Sequence, residues 1–99
     1  MNKISLAEYR QQIESAIESG QYEQAVAHSK HILEQYPKYV KAYWLLGKVM
    51  LEAGHDDHAM DMFQRVLSAN PEHMLAWVGM SEVAQKRGDL EEAVWYLQR

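Results

Sequence analysis

Three stretches of this chain, IESGQYEQAV (17–26), LEAGHDDHAM (51–60) and QKRGDLEEAV (85–94), are one segment written three times at a spacing of 34 residues. Several independent series keep that register. Gly20, Gly54 and Gly88 are in step, as are Ala25, Ala59 and Ala93, and Tyr9, Tyr43 and Trp77. Ile32 pairs with Val66, and the only two prolines, Pro37 and Pro71, share the same spacing. No other feature constrains the fold so tightly. A unit of this length is one supersecondary element that cannot bury its apolar face alone, so the units must stack.

Each unit reads as two helices. Tyr43, Leu46, Gly47 and Met50 follow the i, i+3, i+4, i+7 spacing of one buried stripe, and Ala59, Phe63, Val66 and Leu67 give a second. Gly54 ends the first helix, because glycine takes the left-handed C-cap conformation without a Cβ clash. Pro37 and Pro71 close the second helices by moving the residue before them out of α geometry. The alanine series lets the two helices of a pair approach closely, and the aromatic series fills the space between pairs.

This pattern resembles the tetratricopeptide repeat family. The second unit carries the resemblance best, through Tyr43, Leu46-Gly47, Gly54, Ala59, Phe63 and Pro71. The third matches through Trp77, Gly88, Ala93 and Leu97, with Ser81 in place of the family's glycine. The first is weakest, with Gln12-Ile13 for Leu-Gly and Ser29 for the bulky apolar residue, as expected of a terminal repeat with one face in water. The resemblance covers about 6 to 99. It implies an all-α fold, a right-handed superhelix of stacked antiparallel helix pairs, as a single domain over 1–99. The repeats fall at about 6–39, 40–73 and 74–99. The third is about eight residues short, which suggests a piece of a longer array.

The run His55-Asp56-Asp57-His58 looks like a metal or acid–base site, but the register argues otherwise. Its counterparts, Gln21-Tyr22-Glu23-Gln24 and Asp89-Leu90-Glu91-Glu92, are mostly polar or acidic and follow the glycine turn. Carboxylates there are expected to cap the next helix and meet its dipole, and Asp56, standing where Tyr22 and Leu90 do, is expected to pack poorly. His28 and His31, three apart, match Met62 and Arg65 and read as surface residues; His73 falls in a turn between repeats. Met50 and Met80 sit on core-facing stripes rather than on a methionine-rich binding surface. No phosphate loop, nucleophile elbow or HExxH motif occurs, so no enzyme, cofactor or metal is expected.

By the same resemblance, the first helix of each unit lines a concave groove. The groove positions are Ala7, Arg10, Glu14, Ile17 and Glu18, then Lys41, Trp44, Lys48, Leu51 and Glu52, then Leu75, Val78, Glu82, Gln85 and Lys86. Periodicity independently sets Lys41, Trp44, Lys48 and Glu52 on a face apart from the Tyr43–Leu46–Met50 stripe. Four basic and four acidic residues flank an apolar strip of Trp44, Leu51, Leu75 and Val78. An exposed Trp44 would be the anchor, and the partner a protein or peptide segment with apolar anchors and charges of both signs. The alternative is that Trp44 packs against a neighbouring repeat. Family members that clamp a C-terminal carboxylate use lysines and asparagines. Here Arg10 could supply the first cation, but Glu14 and Lys48 stand at the asparagine positions and Val78 and Glu82 replace basic residues, so that mode is not expected.

A competing function is self-association. Val94 and Leu97 have nothing after them to cover their apolar side, and Trp95 and Tyr96 add area, so this end is expected to pair with another copy. Net charge is −4, with 14 acidic against 10 basic residues and little basic clustering, which argues against nucleic acid and anionic membranes. With no cysteine and no leader or spanning segment, a cytoplasmic location is the default expectation.

Overall fold

The structure, a computed structural model of the chain, describes residues 5–98, which form six α-helices and no strand. These are α1 (Leu6–Glu18), α2 (Tyr22–Gln35), α3 (Val40–Glu52), α4 (Asp56–Ala69), α5 (Met74–Lys86) and α6 (Leu90–Leu97). They pair as α1/α2, α3/α4 and α5/α6.

The turn inside each pair is the same motif three times. Gly20, Gly54 and Gly88 have φ of +74°, +86° and +80°, the left-handed region that a side chain disfavours. The residue after each glycine donates its N–H back across the turn: Gln21 to the Ala16 carbonyl at 2.7 Å, His55 to Met50 at 2.8 Å and Asp89 to Ala84 at 2.9 Å. The glycines donate to Ile17, Leu51 and Gln85. Two carbonyls at each helix end are thus satisfied in a Schellman arrangement. Between pairs the stop is different. Tyr36 and Asn70 leave α geometry at φ −133° and −145°, immediately before Pro37 and Pro71. Each proline carbonyl then accepts a bond from the aromatic of the next helix, from Tyr43 Oη at 3.3 Å and from Trp77 Nε1 at 2.8 Å.

Neighbouring helices touch in sequence order, and in addition α1 touches α3 and α3 touches α5. Among the described residues the second helices do not touch one another. First helices that meet while second helices splay apart give a curved array whose inner face is lined by α1, α3 and α5. The molecule measures 50 × 27 × 17 Å along its principal axes.

Helices α3, α4 and α5 converge on Phe63, which is fully buried. A Cβ placed on Gly47 of α3 or Gly79 of α5 would lie 2.6 or 2.5 Å from its ring, well inside the 3.5–4 Å of an ordinary carbon contact. One register earlier the same three positions hold Ile13, Ser29 and Leu45, all fully buried. The junctions are therefore volume-inverted: large–small–large in the first, small–large–small in the second. Ser29 meets its polar requirement locally, its hydroxyl donating to the Ala25 carbonyl at 2.8 Å. Ser81, at the third-unit counterpart of Gly47, has a buried hydroxyl without a hydrogen-bond partner among the described residues.

Candidate functional site

The middle of the inner face belongs to α3, which is buried on most of its circumference. Trp44 is not exposed there, contrary to the sequence expectation: it is 9% exposed and belongs to the core cluster, as does Leu51. Two lysines roof it. Lys41 and Lys48 stand three residues before and four after Trp44, the spacing at which helical side chains meet. Their Nζ atoms lie 4.1 and 4.8 Å from the indole centroid. Each ammonium gains from the ring quadrupole while its stem covers apolar surface. Neither lysine makes a salt bridge among the described residues.

Around this centre the other expected groove residues divide. Leu75 and Val78 on α5 are exposed, so they and not Trp44 or Leu51 are the apolar side chains a partner could reach. Arg10, Ala7 and Glu18 on α1, Glu52 on α3, and Glu82 and Gln85 on α5 are exposed, whereas Glu14 and Ile17 are half-buried.

Lys86 has a different task. Its Nζ donates to the Leu51 carbonyl at 2.7 Å and lies 3.7 Å from Asp56 Oδ1. Arg87 beside it pairs with Asp57. These contacts explain the HDDH run in a way that helix capping does not. The α4 N-cap is His55, with no side-chain cap bond, and both aspartates reach instead to the third pair. Asp56 Oδ1 is buried without a hydrogen bond, so the Lys86 charge is what offsets its desolvation. The expected packing defect at Asp56 is thus an ion pair. In the first pair the counterparts are Tyr22 and Glu23 facing Glu52 and Ala53, which cannot repeat it.

The histidines also find local uses. The His55 and His58 rings meet edge-on at 6.1 Å, and among the described residues no three His, Asp or Glu side chains are grouped to hold a metal. His28 and His31 flank the Tyr9 ring at 6.2 and 5.5 Å. His73, from which the sequence suggested nothing, caps α5 through Nδ1, which accepts the Ala76 N–H at 3.2 Å.

One surface feature was not visible in the sequence. Trp77, Trp95 and Tyr96 form an aromatic cluster with centroid separations of 5.3 to 6.5 Å. It walls an apolar crevice of about 500 Å³ with Leu67, Pro71 and Met80, between α4, α5 and α6. Trp95 therefore lies on this side of α6, away from Val94 and Leu97, with which the sequence had grouped it. Tyr96 donates to Glu92 Oε1 at 2.6 Å; burial first, and this bond second, push its phenol up to about 12.

A family model described as tetratricopeptide repeat matches residues 16–66, half of the chain. The chain belongs to the tetratricopeptide repeat family. Such repeats mediate protein–protein interactions and are not catalytic. A yeast relative, Essential for maintenance of the cell wall protein 1 from Saccharomyces cerevisiae, is 32% identical over 78 residues, 79% of this chain. Superkiller complex protein 3 of Mus musculus and of Homo sapiens are 28% and 27% identical over 71 residues, 72% of the chain. The matched stretch spans only 9% of the yeast relative's length and 4% of the other two. No described helix is long and apolar enough to cross a membrane.

Proposed function

We propose that the inner face of this tetratricopeptide array holds a peptide or protein segment, with Lys41 and Lys48 as its central contact. The observation that carries this reading is the pair of ammonium groups seated 4.1 and 4.8 Å from the Trp44 ring, in the middle of the face lined by first helices. Trp44 acts as the floor that positions them. A lysine held against a buried ring loses less entropy on binding than a free one, and each ammonium keeps donors for a carboxylate. Leu75 and Val78 would take an apolar side chain one repeat further on, and Arg10, Glu52 and Glu82 would set the charge pattern around it. The partner is therefore a segment with a carboxylate and a neighbouring apolar residue, bound without chemical change. That two relatives are named as proteins of a complex is in keeping with a contact role.

Selection from a random peptide library, followed by calorimetry on the winning peptides, tests this. Charge-assisted hydrogen bonds contribute roughly 1.5–3 kcal/mol each, so Lys41→Glu with Lys48→Glu should weaken binding at least about tenfold. Helix content should not change. Unchanged affinity in that double variant would sink the proposal.

A further inference from the structure

Among the described residues successive second helices do not touch, which leaves a groove above α3, between α2 and α4, and another above α5, between α4 and α6. The second groove is the crevice of about 500 Å³ walled by Trp77, Trp95 and Tyr96. It lies on the side of α5 away from the inner face, since Trp77 and Met80 each stand two residues, about 200° of helix, from Leu75 and Val78.

The repeat register allows the two grooves to be compared position by position. Leu67, Trp77 and Tyr96 are half-buried, and so are their counterparts Leu33, Tyr43 and Met62. Gln64, Ser68 and Trp95 are exposed, and so are Lys30, Glu34 and Asp61. The α2–α4 groove has a further pair stacked beyond it and stays open all the same. Openness therefore belongs to this side of the array, and stacking another pair does not close it. What differs is the chemistry. The three exposed positions carry a base and two acids in one groove, but an amide, a hydroxyl and an indole in the other.

The α4–α6 crevice has thus exchanged charge for a large ring at its rim. Among the described residues no charged side chain lines it, so a charged occupant would lose hydration with no counter-ion in its place. Its hydrogen-bond donors are committed within the fold. Trp77 Nε1 donates to the Pro71 carbonyl at 2.8 Å, Tyr96 Oη to Glu92 at 2.6 Å and Ser68 Oγ to the Gln64 carbonyl at 3.1 Å. None of the three is left to hold a peptide backbone. What the crevice offers is apolar surface, with Trp95, a residue type enriched among binding anchors, 47% exposed at its edge.

We infer that this crevice is a second docking site, which takes two neighbouring uncharged side chains of a partner segment, leucine or phenylalanine in character. Its volume falls within the range of pockets that enclose apolar groups. The inference does not rest on the inner face, whose lysines call for a carboxylate on the opposite side of the molecule.

A synthetic library of end-capped peptides without Asp or Glu, screened on the full chain, tests this, because such peptides offer the lysines no carboxylate. The winners should carry adjacent apolar side chains, bind equally well at low and high salt, and shift the tryptophan emission. Gln64→Lys, Ser68→Glu and Trp95→Asp together install the residues of the α2–α4 groove at positions that are already exposed. Calorimetry on that triple variant should show binding weakened at least about tenfold, with helix content unchanged. Trp95→Asp alone should give most of the loss, and Lys41→Glu with Lys48→Glu none. No binder, winners centred on a lysine or arginine, or a loss confined to the lysine variant would each overturn the inference. So would a mass above 11.5 kDa for the free protein that the triple variant abolishes, since a second copy would then be the occupant.

Discussion

Gly47 and Gly79 hold the Phe63 ring between two helices with no room for a methyl group. Alanine at either position should destabilise the fold by about 1–3 kcal/mol through overpacking. Thermal unfolding of Gly79→Ala, alone and with Phe63→Leu, checks this: the double variant should recover part of the loss. Ser81→Ala should move the other way, raising stability by about 1 kcal/mol, because it removes a buried hydroxyl that has no partner. Gly47 was legible in the sequence because it falls on the buried Tyr43–Leu46–Met50 stripe, although its counterparts are Ile13 and Ser81. Gly79 was not, because its counterpart is Leu45 and only the volume inversion between junctions explains it. Trp44 failed for a different reason: periodicity put Lys41, Trp44 and Lys48 on one face, but it does not show that the two lysines fold over the ring and that the ring joins the core.

At the scale of elements, two cationic contacts join the second pair to the third, and they should differ in strength. Lys86 bridges a backbone carbonyl and a partly buried carboxylate, so Lys86→Met should cost about 1–2 kcal/mol. Asp57 is 93% exposed, so Arg87→Met should change stability by less than about 0.5 kcal/mol. Chemical denaturation of the two variants separates them. A pH effect belongs to α6. The Tyr96 phenol ionises at about 12 when folded and near 10.0 when unfolded, so folding favours its neutral form. That contribution is complete below pH 10.0 and is lost as pH rises through about 12. Absorbance titration should show one phenol ionising late, and Glu92→Gln should move it only part of the way back, since burial is the larger cause. Helix ends were readable from Gly20, Gly54, Gly88, Pro37 and Pro71, because turn chemistry is local. The ties from Lys86 to Asp56 and from Arg87 to Asp57 cross about one repeat of sequence, and no short-range pattern announces them.

For the whole molecule, the repeat dictates a stack of helix pairs, and the meeting of first helices turns that stack into an inner face. On that face Lys41, Lys48, Leu75 and Val78 are the proposed contacts, while Trp44 and Leu51 belong to the core beneath. Trp44→Ala would remove core volume, at a cost of about 3–5 kcal/mol, and would confound binding with unfolding. The central claim is best tested by mapping backbone amide chemical shifts during titration with a library-selected peptide. The account predicts that the perturbed amides cluster on α3 and α5 around Lys41, Lys48, Leu75 and Val78, and that the Lys41→Glu, Lys48→Glu variant erases them. Perturbations confined to the crevice of Trp77, Trp95 and Tyr96, with the lysine region unmoved, would contradict it.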